Sequence, residues 1–271
     1  EELEGWFVRG YDCPRIMALL CEKYGLKYLP ELHLSGQTWF NSEVVEKLVD
    51  DPAELYITSR LGTSARGEGN WFSSTWNPLH PAIQEKYIAI FGELADLVGD
   101  SPAFAGVSSR LMSWVWQGWN GLPSLNWGYG DWTIGQFEMD TGIDVPPFAE
   151  ATEGRPGDPN DPQRFTQRFE FLTADAMRET WVKWRCDRMQ GYLERLRDRI
   201  RRDRPEAVLY LPYYQDEKQA MDLIFGSYFQ TPRGALKEIG LDLYTLAKTP
   251  GIAVLPGATF GRRNSTPLAD A

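Results

Sequence analysis

Four carboxylates stand where an α/β protein keeps reactive side chains. Glu31 lies in the apolar stretch PELHL, and Asp131 follows an aromatic loop. Asp216 and Asp242 each come at the end of a predicted strand. Paired carboxyl groups support general acid/base catalysis, and glycoside hydrolysis needs two of them, about 5–5.5 Å or about 6.5–9.5 Å apart. These four residues are therefore the candidate catalytic groups.

Two of the carboxylates also have a structural interpretation. Glu31 would form a buried ion pair with Arg110, because a charge inside an apolar strand is costly without a partner. Asp131 precedes the helical stretch WTIGQFEMDT, so it is also placed to cap that helix. Both interpretations stay open beside the catalytic one.

An aromatic loop before Trp132 supplies a candidate ligand surface. Five of the chain's eleven tryptophans lie between Phe104 and Gly142. Indole rings in a loop rich in Gly, Asn and Ser suit stacking on sugars, although large aromatic side chains are more often buried in cores. The predicted ligand contacts are Arg110, Trp114, Trp116, Trp119, Trp127, Tyr129, Tyr213 and Tyr214. Of these, Arg110 would hold an anionic group such as a uronate or a sulfate.

Composition argues against several other functions. The net charge of −10 disfavours nucleic acid and anionic membranes as partners, and no apolar run reaches the roughly 18 residues of a spanning helix. Two histidines, and three cysteines without framework spacing, make a metal site or a disulfide framework unexpected. Phosphate-binding glycine loops and a nucleophile elbow are absent. We therefore predict a carbohydrate partner, no cofactor and no metal, with a carboxylate-only site for calcium or magnesium left as an open alternative. The oligomeric state and the compartment stay open, with a bacterial periplasmic or secreted protein as one expectation.

The elements that position these residues alternate between helices and short apolar strands. Strands are predicted at residues 26–34, 104–111, 207–211, 240–243 and 251–255. Helices are predicted at residues 14–24, 42–49, 82–98, 131–142, 173–202, 218–228 and 231–239. Such alternation is typical of an α/β fold with a parallel sheet.

The long excursions after strands favour a (β/α)8 TIM-barrel-like fold over an open sheet. The predicted strands are fewer than the eight of a closed barrel, so we expect an incomplete or partial barrel unless further strands lie in less obvious segments. One domain is predicted over residues 1–263, with long loops at 36–76 and 143–165 and a disordered tail at 264–271. A chain of 271 residues can bury a core of this size.

The longest predicted helix has two faces. Trp181, Trp184 and further apolar residues at helical spacing form the face that we expect to be buried. Arg185 and Arg188 are assigned to the solvent face, where basic and acidic residues alternate. The basic end RIRRDR is interpreted as favourable charge at a helix C-terminus, because acids interleave the arginines.

Three stretches carry a family resemblance: PELHL, NPLHPAIQEKYIAIFGELADLVGDSPAFAGV and SLNWGYGDWTIGQFEMDTG. They resemble bacterial glycoside-hydrolase-like TIM barrels of clan A, and most of all the group of family 42 β-galactosidases and family 10-like hydrolases. The order of elements is similar from Tyr11 to Arg263. The resemblance implies a (β/α)8 barrel that acts on glycosides with two catalytic glutamates.

The sequence departs from that clan at both glutamates. Clan-A enzymes end their fourth strand with Asn-Glu, whereas the corresponding strand here ends Ser108-Ser109-Arg110-Leu111. They carry the second Glu at the end of the seventh strand, whereas GIAVLPGATFGRR has none. We therefore predict a carbohydrate-active protein, a glycoside hydrolase acting through other paired carboxylates. The alternatives are a catalytically inactive glycan-binding barrel and a structural domain of a larger protein.

Overall fold

A computed structural model describes residues 12–32, 45–66, 76–109, 111, 122–146, 161–213 and 231–256. Several predicted features lie outside these residues. They are Arg110, Trp114, Trp116, Trp119, Tyr214, Asp216, the side chain of Tyr213, the helix at 218–228, the tail at 264–271 and most of the two long loops. What the sequence predicts for them stays a prediction, as does the single-domain boundary.

The described strands form one parallel sheet in the order β1–β2–β3–β4. They are β1 (Glu31–Leu32), β2 (Gly106–Ser109), β3 (Val208–Tyr213) and β4 (Ile252–Pro256). Glu31 lies opposite Ser108, and Ser108 lies opposite Tyr210. Parallel neighbours require long crossover connections, which helices supply here. The predicted α/β class is therefore confirmed, and within the described residues the sheet is open at β1 and at β4.

Apolar side chains remain exposed on the first helix, α1 (Cys13–Lys23), and on its connection to β1. They include Met17, Leu19, Tyr24 and Leu26. In a closed barrel the βα unit preceding β1 would adjoin this edge of the sheet, and an edge strand without a neighbour leaves main-chain groups unpaired. The exposed surface therefore agrees with a partial barrel.

Two helices begin and end at the residues that their capping signals indicate. Asp12 caps α1 by accepting a hydrogen bond from the Arg15 N–H at 3.2 Å. Gly25 follows α1 with φ +66°, a conformation that glycine adopts without strain. The next helix, α2 (Pro81–Val98), has His80 as its N-cap and Pro81 at its first position. The helices predicted at 14–24 and 82–98 are confirmed.

The described part of the connection from β2 to β3 contains three helices: α3 (Asp131–Thr141), α4 (Arg164–Thr173) and α5 (Asp175–Arg201). The sequence predicted α3 and α5 but placed no helix at α4. Ala174 separates α4 from α5 because its ψ of 149° is extended. No side chain caps the first turn of α4, but α3 and α5 also lack a side-chain cap, so capping does not explain why only α4 was not predicted.

Between residues 231 and 251, which the structure describes, two short helices lead into β4: α6 (Pro232–Glu238) and α7 (Leu243–Leu246). The predicted strand at 240–243 is wrong. Gly240 has φ +82°, which ends α6 in a turn, and Asp242 is the N-cap of α7. The Asp242 carboxylate accepts a hydrogen bond from the Thr245 N–H at 3.3 Å. The apolar run that suggested a strand is therefore a helix junction.

Helix α5 packs against α2 and against β2 and β3, and it carries much of the core. Trp181 and Trp184 are buried, as predicted. The assignment of Arg185 to the solvent face is wrong, because its side chain is fully buried and donates a hydrogen bond to the Ser124 carbonyl at 3.1 Å. The segment after β2 covers a second side of α5, which helical periodicity alone does not reveal. None of the described helices, α5 included, is both long and apolar enough to cross a membrane.

Candidate functional site

The segments that follow β1 and β2 in the chain contact each other, and helices α2 and α3 begin beside this contact. Ser59 pairs with Trp127 in an isolated antiparallel bridge. The Thr58 carbonyl accepts hydrogen bonds from the N–H groups of Gly128 at 2.9 Å and Tyr129 at 3.0 Å. Both segments leave the carboxyl ends of parallel strands. Their meeting point therefore lies on the side where barrel enzymes place their sites.

A cavity of about 350 Å³ opens at this meeting point, and we call it the junction cavity. Its wall combines carboxylates, a guanidinium group, aromatic rings and hydroxyl groups. The lining side chains include Asp51, Glu54, Tyr56, Thr58, Ser64, Asp131, Trp132, Arg164 and Phe165. Aromatic surface with a few convergent polar groups is the usual composition of a small-molecule or sugar site.

Asp131 is the first residue of α3, and Gly130 takes the N-cap position that the sequence suggested for Asp131. The Asp131 carboxylate lies 3.1 Å from Arg164 Nε and 2.8 Å from Arg168 Nη1. Burial opposes its ionisation, but the hydrogen bonds from these two arginines outweigh burial and lower the pKa of Asp131. Asp131 is thus an ionised carboxylate, held in place at the cavity wall.

The stability of the protein is expected to depend on the charge of Asp131. Because the folded-state pKa lies below the ordinary value of 3.8, the stabilisation is present above pH 3.8 and is lost as the pH falls through the folded pKa. The variant Asp131→Asn should therefore be less stable than wild type at pH 7, and the difference should shrink towards pH 3. Urea midpoints for both proteins between pH 3 and pH 7 test this. A pH-independent difference would contradict it.

The pKa of Glu54 is shifted in the opposite direction to that of Asp131. Glu54 lies in the 3-10 turn Pro52–Leu55 and lines the same cavity as Asp131. Burial raises the pKa of Glu54, and the nearby charges of Asp51 and Asp50 raise it further. Environments that push the pKa values of two carboxyl groups apart are those that divide acid and base roles. The junction cavity thus holds one carboxyl group that retains its proton more readily and one that gives it up more readily.

The buried imidazole of His80 lies next to Glu54. His80 Nε2 lies 3.3 Å from Glu54 Oε1, and the His80 ring packs at 4.2 Å from the ring of Trp132. Burial lowers the pKa of His80 to about 4, and the positive charge of Arg188 contributes to the shift. His80 is therefore neutral at physiological pH.

Glu31 lies at the carboxyl end of β1, on the edge strand. Its Oε2 accepts a hydrogen bond from Ser108 Oγ at 3.1 Å, and its side chain is exposed. The cost of a buried charge, which suggested an ion pair with Arg110, therefore does not arise. The neighbouring Ser109 is fully buried.

Asp242 lies in a different place, a groove of about 800 Å³ among α5, α6 and α7. Burial opposes its ionisation, but a hydrogen bond from Lys237, at 3.3 Å, helps to lower the pKa of Asp242. This groove is larger than the junction cavity, yet it lies within the helical layer. The junction cavity is the better candidate because it lies beside the starts of α2 and α3, the helices that follow β1 and β2.

The described aromatic residues divide between core and cavity. Tyr129 is fully buried, its hydroxyl group donates to the Leu125 carbonyl at 2.6 Å, and its ring packs edge-on against Phe169. It therefore belongs to the core and not to a ligand surface. Trp127 is half-buried. Trp132, which was not among the predicted ligand contacts, lines the junction cavity.

Glu54 and His80 were not among the site residues predicted from the sequence. The predicted carboxylates lie near strand ends or after the aromatic loop, whereas Glu54 lies within a long loop. A signal was present in both cases. Three acids fall within DDPAE, where like charges favour a proton on one of them, and His80 stands between prolines at a helix start, in NPLHP.

No protein-family model matches the sequence, and the comparison with curated protein sequences also finds no match.

Solved structures with a similar fold include the catalytic domain of β-amylase from Paenibacillus polymyxa, with a TM-score of 0.53 and 12% identity over 91% of this chain and 64% of that one. A cold-adapted β-galactosidase from Rahnella sp. R3 gives a TM-score of 0.48 and 13% identity, over 78% and 29%. The PgaB (BpsB) glycoside hydrolase domain from Bordetella bronchiseptica gives a TM-score of 0.43 and 14% identity, over 73% of this chain and 44% of that one. The chain spans less than two thirds of the length of each of these proteins. The likeness to the β-amylase domain confirms the TIM-barrel-like fold.

Proposed function

We propose that this chain is a carbohydrate-active protein, a glycoside hydrolase that uses Glu54 and Asp131 as its paired carboxyl groups. The supporting observation is that both groups line one cavity beside the starts of α2 and α3 while their environments shift their pKa values in opposite directions. The likeness in fold to a β-amylase catalytic domain makes glycosides the first substrates to test. A relationship to the family 42 and family 10-like barrels is part of the proposal.

In this proposal Glu54 is the general acid. It donates its proton to the glycosidic oxygen as the bond to the anomeric carbon breaks; water then adds to the anomeric carbon and gives a proton to the Glu54 carboxylate, which restores the acid. Asp131 stabilises the positive charge that develops at the anomeric carbon. Arg164 and Arg168 make it a weak base but keep it ionised and fixed, which suits an electrostatic role.

Aromatic surface beside these carboxyl groups would hold the sugar. Tyr56, Trp132 and Phe165 line the cavity and present rings for stacking. Glu31 and Asp216, near the ends of two strands, are proposed as further polar contacts. The predicted aromatic contacts at residues 114–119 and 213–214 would extend the cleft.

The test is hydrolysis of a panel of aryl glycosides and unactivated oligosaccharides. Glu54→Gln should lower kcat by roughly 10²- to 10⁴-fold on substrates with poor leaving groups and by less on activated aryl glycosides. Asp131→Asn should lower both rates. Asp175→Asn is the control, because Asp175 is exposed at the start of α5 and pairs only with Arg178 of the same helix among the contacts described. Full activity of Glu54→Gln and Asp131→Asn would remove the assignment.

A second candidate is a glycan-binding barrel without catalysis. It is favoured by the strand end Ser108-Ser109, where clan-A enzymes carry Asn-Glu. Glycan-array binding by the wild-type protein, lost in Trp132→Ala and accompanied by no turnover, would support this candidate. If the protein shows no glycan binding and no turnover, a structural domain becomes the favoured interpretation.

A further inference from the structure

We propose that His80 is a positioning residue that orients the carboxyl group of Glu54. The inference rests on the proposed function, since it concerns the same acid. In this proposal the His80 N–H binds Glu54 Oε1. The carboxyl proton is then on Oε2, from which it is donated in the junction cavity.

The first step is the tautomer of His80. As N-cap of α2, its Nδ1 accepts a hydrogen bond from the Ala82 N–H at 3.2 Å. A neutral imidazole that accepts at Nδ1 must carry its proton on Nε2. The structure therefore fixes a donor at Nε2.

The second step is where that donor points. Nε2 lies 3.3 Å from Glu54 Oε1, but the N–H is not aligned well enough for a hydrogen bond, and Nε2 has no other partner among the residues that the structure describes. The imidazole is buried, with 3% of its surface exposed. A buried N–H without an acceptor costs free energy. A small rotation of the Glu54 side chain would satisfy it.

The third step is rigidity. His80 is fixed at the start of α2, its ring packs on Trp132, and Trp132 itself lines the junction cavity. The same indole therefore touches both the positioning imidazole and the space where a sugar would bind. When Glu54 Oε1 accepts the hydrogen bond from the His80 N–H, the carboxyl proton of Glu54 is on Oε2.

The charged groups around the pair are compatible with this role. Burial keeps His80 neutral, so it acts as a donor and not as a counter-ion. Among the described residues, the charged or titratable groups near Glu54 or His80 include Asp50 and Asp51 beside the 3-10 turn, Arg188 on α5, and Tyr56, Asp131 and Arg164 at the cavity.

Two substitutions separate positioning from capping. In His80→Asn, the side-chain oxygen stands in for Nδ1 and caps α2, but the donor to Glu54 is lost. In His80→Gln, the amide N–H stands in for Nε2 and retains the donor, while the cap is weakened. We expect His80→Asn to unfold near the wild-type temperature with kcat about 10- to 100-fold lower and KM little changed. His80→Gln should keep most of kcat and lose some stability.

A second readout does not depend on turnover. With ¹³C-labelled glutamate, the carboxyl resonance that disappears in Glu54→Gln reports the titration of Glu54. Loss of a donor to the carboxylate should raise the pKa of Glu54 in His80→Asn, whereas His80→Gln should leave it near the wild-type value. Equal titration of Glu54 in wild type and His80→Asn would overturn the proposal. If the wild-type protein hydrolyses none of the glycosides, the proposed function fails, and the resonance still decides the role of His80.

Discussion

Replacing Gly106 with alanine is expected to destabilise the protein severely. Gly106 opens β2 with φ +139°, a conformation that residues with a side chain rarely adopt. A Cβ atom at this position would lie 1.9 Å from the carbonyl oxygen of Val208 and 2.6 Å from its nitrogen. Both atoms belong to the main chain beside it in β3, so they cannot move without breaking the β2–β3 pairing. We expect a loss of more than about 4 kcal/mol, a large part of a typical stability of about 5–15 kcal/mol.

Gly135 provides the matched control for this substitution. It lies inside α3, and a Cβ atom there would have no neighbour within 4 Å. Gly135→Ala should therefore stabilise the protein by about 0.5–1 kcal/mol. Circular dichroism and urea unfolding of both variants give the comparison. Cooperative unfolding of Gly106→Ala at the wild-type urea midpoint would show that β2 and β3 do not pair as described.

Replacing Trp181 with alanine should cost about 3–5 kcal/mol and lower Tm by roughly 6–20 °C. Trp181 is fully buried on α5. It stacks on Trp184 with ring centroids 5.2 Å apart and an angle of 10°, and it meets Phe137 edge-on at 5.2 Å. The substitution would remove contacts to α3 and to the segment after β2 at once. Thermal unfolding followed by circular dichroism measures the loss.

Two further variants show whether the lost volume is responsible. Trp181 Nε1 is buried without a hydrogen-bond partner in the part of the chain that the structure describes, so Trp181→Phe removes an unsatisfied donor as well as part of the ring. It should cost no more than about 2 kcal/mol. Met139 is exposed at the end of α3, and Met139→Ala should change the stability by less than about 0.5 kcal/mol. Equal losses for Trp181→Ala and Trp181→Phe would contradict the packing account.

The fold was predictable where local chemistry determines the structure. Proline, glycine and capping side chains mark the ends of α1, α2 and α3 closely, because they act on their own backbone. The sequence did not reveal α4, which only Ala174 separates from α5. It also misassigned Arg185, since the burial of that residue depends on the segment at 122–125, which is far away in the sequence.

The candidate site was predictable only in part, for a related reason. Asp131 was identified because it starts a helix after a strand, and the structure places it on the junction cavity. Glu54 was missed because its importance comes from a second segment that meets it in space. Its raised pKa depends on burial by that segment as well as on the neighbouring Asp50 and Asp51. Spacing along one segment cannot predict a cavity that two segments form together.

The junction cavity has a consequence for how such a protein can diversify. Its two walls are joined through main-chain groups, at Thr58 with Gly128 and Tyr129 and at Ser59 with Trp127. Main-chain hydrogen bonds persist when most side chains change, so the walls would stay joined while residues such as Tyr56 or Trp132 are exchanged. Mutational drift at the lining could therefore alter which ligand fits without a matching change in the barrel. Directed evolution of this protein would begin most productively at those lining positions.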